Sequence, residues 1–193
     1  MNSQRDLQIA ATEIQKMKLT QSFDDFKESW ENYLFRLERA WERAERALND
    51  SPGFQQWCQP YSSLRKKDSL LQYLKQARNA EMHSICESIS RRLKISIVDK
   101  SGRGLALDSI SHKLENGLLT ISLESPDLIF DVDAQLVPTN PELVKIKCRG
   151  NWYNPPWSHL NEKIIDIHPV YIAEMGLNFY KAFVDEAEIW TKK

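Results

Sequence analysis

The chain has 193 residues, 41% of them hydrophobic and 27% charged, with six Trp, six Tyr and seven Phe. That is enough apolar surface for one well-buried core, and it excludes a disordered chain. The 26 basic and 27 acidic residues leave a formal net charge of -1. This argues against a generic polyanion binder, whose affinity rests on neutralising many phosphates, and leaves room for a local site that grips one phosphate.

In chain order, residues 3–18 read as a helix with Leu7, Ile9, Ala10, Ile14 and Met17 as its apolar members, or equally as a docked arm. Arg5, Asp6, Glu13, Lys16 and Lys18 interrupt this opening, which holds no apolar run of the length an export signal needs. From Phe23 the large apolar residues run Phe26, Trp30, Tyr33, Leu34, Leu37, Trp41, Ala44 and Leu48, in steps of three and four that place them on one helix face. Ser22 followed by Asp25 fits a capping pattern, and Asn49-Asp50-Ser51-Pro52-Gly53 stops the helix. Its other face, with Glu38, Arg39, Glu42, Arg43, Glu45 and Arg46, reads as a solvated charge ladder.

Residues 53–66, GFQQWCQPYSSLRK, read as a connector whose aromatics tuck into the core. A third helix is predicted from Asp68-Ser69 to about Leu93, with Leu70, Leu71, Tyr73, Leu74, Ala77, Met82, Ile85, Ile89 and Leu93 apolar. Trp30, Leu37 and Trp41 are expected to pack on Leu74 and Ile85. After Lys94 the pattern changes to short β-type runs at 94–98, 118–123, 128–137 and 143–148, followed by the loop-like cluster Trp152-Tyr153-Asn154-Pro155-Pro156-Trp157. A last helix is predicted from about Pro169 to Trp190. The order predicts an α+β fold: a helical region over 1–93, a small antiparallel β-rich region over 94–168, and a C-terminal helix over 169–193 packing back on the bundle. No stretch approaches the ~20 apolar residues that span a membrane.

The residues that carry chemistry are Arg78-Asn79-Ala80-Glu81-Met82-His83 in the third helix. At about 100° per residue, Asn79 and His83 lie one turn apart on one face, with Arg78 beside it. Histidine is the natural acid/base near neutral pH, and arginine offers a planar fork for phosphate oxygens. Asn79 is placed to orient His83 or to bind a phosphate oxygen. A bare Arg-to-His spacing is common by chance, and Asn directly after the Arg narrows it roughly twentyfold. Here the sequence, over about residues 22–93, resembles the HEPN family, whose signature is an Arg, a following polar residue and a His four to six residues beyond the Arg.

The resemblance implies a helical bundle and a metal-independent endoribonuclease, a toxin or phage-defence effector, that cleaves RNA by 2′-hydroxyl attack. Its catalytic residues would be Arg78, Asn79 and His83, with no cofactor or metal. One chain supplies one motif, so the resemblance implies a homodimer with a composite site, restrained by an antitoxin or another regulatory protein. The apolar members of the two long helices also exceed what one small domain should leave exposed, which again points to a dimer. The alternative is a non-catalytic HEPN-like module for dimeric interaction or nucleotide binding.

Other candidates read as structural. Glu81 is expected to be an exposed carboxylate, or to pair with Arg78 or Lys75. His112, His159 and His168 have no metal-ligand spacing, and Cys58, Cys86 and Cys148 form no CxxC pair. The cysteines are expected to be packing residues in a reducing, cytoplasmic setting. Gly102-Arg103-Gly104 is a turn, and Asp131 with Asp133 is too small a set for magnesium. Trp152, Tyr153 and Trp157 are expected to clamp the core shut rather than to stack on bases.

Overall fold

The computed structural model describes residues 2–83, 87–99, 109–115, 118–124 and 132–190, and for some of these, His83 included, the backbone alone. The fold is α+β and mostly helical. Helix α1 (Asn2–Leu19) is a full helix rather than an arm, with Leu7, Ala10, Ile14 and Met17 buried along one stripe. Helix α2 (Phe23–Leu48) starts where the capping pattern places it: the Ser22 Oγ accepts the N–H of Asp25 at 3.3 Å. Its predicted apolar face, from Phe26 to Leu48, is buried.

The expected connector is a helix, α3 (Phe54–Lys67), with Pro60 inside it. Proline forfeits one backbone bond, yet Phe54, Trp57, Tyr61 and Leu64 recur at helical spacing and pack on the core, so tertiary burial outweighs the local cost. Helix α4 (Ser69–His83) ends ten residues before the expected Leu93. Beyond it, Ser88 donates its N–H and hydroxyl to Glu81 Oε1 at 2.7 and 2.6 Å. Trp30 Nε1 donates to Ser88 Oγ at 2.8 Å, and the Tyr73 hydroxyl lies 2.9 Å from the Ser88 carbonyl. These buried bonds satisfy polar groups that a continued helix would leave unpaired. Ile89 therefore sits in a strand, and Ile85 and Cys86 lie outside the described residues.

Helix α5 (Pro169–Trp190) opens on a proline at its first position, where the missing N–H costs nothing. It packs on α1, α2 and α4, as expected of a C-terminal helix returning to the bundle. Trp41 is core, and its ring partners lie on α5. Its ring stacks on Phe183 at 3.9 Å between centroids and meets Tyr180 edge-on at 6.2 Å. Leu37 and Leu74 do converge, beside Gly176.

The charge ladder of α2 is only partly solvated. Asp6 of α1, 1% exposed, pairs with Arg36 at 3.0 Å, Arg39 at 3.6 Å and Arg43 at 2.6 Å. Glu38 is buried against Arg65 of α3. The reason is coverage: α1 and α3 reach round both flanks of α2, so charges that look outward along one helix meet partners on the next. The same coverage weakens one argument for a dimer, because the apolar face of α2 and Leu70, Leu71, Tyr73, Leu74 and Ala77 of α4 are buried within the chain, with Met82 of α4 left 56% exposed.

The strands are β1 (Ile89–Ser90), β2 (Leu93–Asp99), β3 (Ser109–Glu115), β4 (Leu118–Glu124), β5 (Val132–Pro138), β6 (Glu142–Leu143), β7 (Ile146–Cys148), β8 (Asn151–Tyr153), β9 (Ser158–His159) and β10 (Glu162–Lys163). Rather than one sheet, the described residues form two-stranded antiparallel pairs: β1 with β6, β2 with β5, β3 with β4, β7 with β8, and β9 with β10. The β-rich stretch expected over 94–168 is divided. Residues 92–140 form a compact unit of their own, while 141–193 belong with the helices. In the smaller unit Leu93 pairs with Pro138 and Asp99 with Val132, and Ser109 pairs with Glu124 and Glu115 with Leu118.

In the helical unit, two tight hairpins follow one rule. Arg149 and Gly150 join β7 to β8 with φ of 50° and 83°, and Leu160 and Asn161 join β9 to β10 with φ of 50° and 70°. Two successive positive φ values match the right-handed twist of paired strands. Glycine and asparagine accept that conformation readily, while Leu160 is strained in it.

Trp41→Ala removes the ring that joins α2 to α5 and should cost roughly 3–5 kcal/mol in urea or thermal unfolding. A variant melting within a degree or two of the parent would contradict this packing. Gly176 gives a sharper test. A Cβ there would collide with the Leu74 side chain and fall 2.7 Å from Tyr33 Oη, which is fixed by a 2.8 Å bond to the Ala173 carbonyl. Alanine normally stabilises a helix by about 1 kcal/mol over glycine; Gly176→Ala should instead lower stability, by about 1–3 kcal/mol.

Candidate functional site

Helix α4 positions functional side chains at both ends. Near its C-terminal end, Ala77 and Ala80 face the core, and Arg78 and Asn79 are half-buried. Arg78 lies about 100° round the axis from Asn79, but its side chain bends back, and Nη1 donates to Asn79 Oδ1 at 3.2 Å. Asn79 Nδ2 in turn lies 3.5 Å from Gln76 Oε1. The Arg78 Nε is buried without an acceptor. Among the described residues no ion pair engages Arg78.

Glu81 does not pair with Arg78 and is not an exposed carboxylate; it is half-buried and occupied by Ser88. Among the described residues the arginine therefore has no carboxylate partner, because the acid inside its own motif is occupied by Ser88. His83 is the last residue of α4, one helical turn beyond Asn79 on the same face by register. Its side chain lies outside the described residues.

The N-terminal end of α4 is organised by Asp68. Its Oδ1 accepts the N–H of Leu71 at 3.0 Å, which caps the helix. The same oxygen lies 3.0 Å from His159 Nδ1, and Oδ2 accepts the N–H of Leu160 at 2.7 Å. The strained Leu160 is thus held by the carboxylate that caps α4. Ser69 Oγ accepts the N–H of Trp157 at 3.1 Å. These bonds frame a cavity of about 390 Å³ between α4 and the β7–β10 hairpins. Burial pushes the Asp68 carboxyl up, but the hydrogen bonds from His159, Leu71 and Leu160 outweigh it, so the group sits below the usual carboxylate range.

The aromatic cluster is not a clamp. Tyr153 packs on the core, but Trp152 is 58% and Trp157 71% exposed. The hairpin explains it: Ile146 and Cys148 take the inward face of β7, and Trp152 pairs opposite the outward Lys147. Lys145 and Lys147 stand over the Trp152 ring at 5.0 and 5.7 Å from its centroid. Sequence reasoning named these aromatics but missed the Asp68–His159 pair, whose members are 91 residues apart and share no local motif.

The remaining candidates stay apart. His168 accepts the N–H of Val170 at 3.3 Å and meets Phe26 edge-on. Cys58 and Cys148 are buried. His112 and Asp133 lie in different strand pairs, β3–β4 and β2–β5. Gly102, Arg103, Gly104 and Asp131 lie outside the described residues. Among the described residues no group of three or more His, Cys, Asp and Glu side chains is placed to hold a metal ion, and no helix is long and apolar enough to cross a membrane.

Compared with known proteins, the chain matches no family model, no curated protein and no solved structure.

The Asp68 geometry sets a pH dependence. A carboxylate whose folded-state pKa is depressed contributes stability above its unfolded value, near 3.9, and loses it as pH falls through the folded value. Asp68→Asn should cost roughly 1–3 kcal/mol at neutral pH, where an ionised acceptor of three donors is lost. The gap between variant and parent should narrow as pH is lowered from about 5 toward 2, because the parent then protonates the same oxygen. Urea melts at several pH values would show it, and a gap independent of pH would contradict the assignment.

Proposed function

We propose that this protein is a metal-independent endoribonuclease of the HEPN type, a toxin or phage-defence effector, in which Arg78, Asn79 and His83 act on RNA. The observation that carries this reading is the state of Arg78. Its guanidinium has no carboxylate partner among the described residues, is steered by Asn79 toward the face shared with position 83, and keeps Nε without an acceptor. A buried donor left unpaired costs about 1–3 kcal/mol, which turning toward a phosphate oxygen would relieve.

In this reading His83 takes the proton from the 2′-hydroxyl, which then attacks the adjacent phosphorus, and the 5′-oxygen leaves with a proton returned by an acid. Arg78 meets the charge that builds on the phosphorane through its planar fork. Asn79 holds the Arg78 side chain in place. One α4 supplies one histidine, so a second copy of the chain brings the other acid/base group to the same cleft. The homodimer is argued from this division of labour, not from exposed apolar surface. Restraint by an antitoxin or another regulatory protein belongs to the same proposal.

Incubation with total RNA in EDTA tests it. Cleavage should persist and leave 2′,3′-cyclic phosphate ends, and DNA, which lacks the nucleophile, should survive. His83→Ala should abolish cleavage with little change in melting temperature, and Arg78→Lys should also fail, since an ammonium lacks the fork. Asn79→Ala should be milder. RNA left intact by the parent protein at micromolar concentration would sink the nuclease and leave a non-catalytic, dimeric or nucleotide-binding module.

A further inference from the structure

The cavity at the other end of α4 has no part in that chemistry. Its walls include Lys67, Gln72, Trp152, Asn154, Trp157 and Asn161. At about 390 Å³ it falls within the ~300–1,000 Å³ of clefts that hold small organic groups. Two exposed indoles offer flat apolar faces, and three carboxamides offer both donors and acceptors, the pattern a heterocycle edge requires.

Charge decides between occupants. Lys145 and Lys147 project over the Trp152 ring, and Lys67 lines the cavity. Lys67, Lys145, Lys147 and Arg149 are all exposed. Asp68 is the sole carboxylate among the lining residues, and both its oxygens are already occupied by His159, Leu71 and Leu160. A neutral sugar or an apolar ligand would gain nothing from these cations, whereas a phosphodiester strand gains from each.

Trp157 is also the wall of a second cavity of about 420 Å³, bounded by Pro155, Pro156, Ile164 and Ile167. Trp157 thus borders both cavities. Gln72 of the first cavity shares its helix face with positions 79 and 83, eleven residues or about 17 Å along α4. One strand can run from the cavity to that face.

We propose that this cavity binds single-stranded RNA, with unpaired bases stacked on Trp152 and Trp157 and the flanking phosphates met by Lys145 and Lys147. It rests on the proposed function only for the choice of RNA as the strand. The base is read by stacking and by the edge contacts of Asn154, Asn161 and Gln72, so binding should tolerate sequence changes.

The test is binding of a short fluorescein-labelled 2′-O-methyl oligonucleotide to the full chain, followed by anisotropy. This strand lacks the 2′-hydroxyl nucleophile, so binding is read apart from cleavage. Trp152→Ala and Trp157→Ala should each weaken binding about tenfold, and the Phe replacements should restore most of it. Lys145→Ala with Lys147→Ala should reduce the slope of log affinity against log salt by about 1.4. Melting temperatures near the parent's would confirm that these exposed substitutions leave the fold intact.

No binding by the parent at low salt, affinity in both tryptophan variants equal to the parent's, or salt-independent binding, as for an uncharged or peptide ligand, would overturn the proposal. Cleavage of ordinary RNA without tryptophan-dependent binding would leave the nuclease standing and remove this site. Tryptophan-dependent binding without cleavage would do the reverse.

Discussion

The guanidinium of Arg65 is the point at which three helices meet. Buried at 5% exposure, it pairs with Glu38 of α2, donates to the Tyr180 hydroxyl of α5 at 3.1 Å, and lies 4.1 Å from the centre of the Trp41 ring. Burial alone would disfavour its charge; Tyr180 and Glu38 more than offset that, and its pKa is raised. Such a cluster is stable only with all members in place, because removing one partner of a buried pair leaves a charge unpaired at a cost of about 3–5 kcal/mol. It therefore fixes the register of α3. Since the Asp68 N–H still bonds to the Leu64 carbonyl, fixing α3 also fixes where α4 begins.

Helix α4 is the element through which this constraint reaches both candidate sites. Its buried residues lock it to α2 and α5, and its two ends are set by side chains rather than by propensity. Asp68 caps the start and holds the β9–β10 turn; Glu81 and Ser88 define the end, with Trp30 closing the bond network from α2. Between them, Gln72 and Asn79 stand on the face turned away from the core. The motif residues thus owe their placement to bonds made by neighbours that take no part in the proposed chemistry.

The overall charge of -1 conceals how unevenly charge is spread. Acidic and basic residues of α1, α2 and α3 largely neutralise one another, through Asp6 with its arginines and Glu38 with Arg65. The β7–β8 hairpin instead keeps Lys145, Lys147 and Arg149 outward, with two exposed indoles nearby. A chain that is neutral in sum can therefore present a local basic and aromatic surface, which is the distribution a short strand of RNA would exploit.

The sequence by itself determined the elements whose signal is local and periodic. The α2 face from Phe26 to Leu48, its Ser22 cap, the α5 span and the α+β class all follow from spacing that a helix converts directly into one buried stripe. The relation of Asn79 to position 83 is equally local. Tertiary structure decided the rest. It made a helix of residues 54–67 despite Pro60, because aromatic burial against α5 exceeds one lost backbone bond. It set Ser88 and Ile89 outside the helix predicted to reach Leu93, and it bonded Glu81 to Ser88 rather than to Arg78. It brought Asp68 to His159 across 91 residues, and it set Trp152 outward because the hairpin's other face was already filled by Ile146 and Cys148. Each of these depends on a partner distant in sequence, and no spacing along the chain records which distant side chain a folded core will bring near.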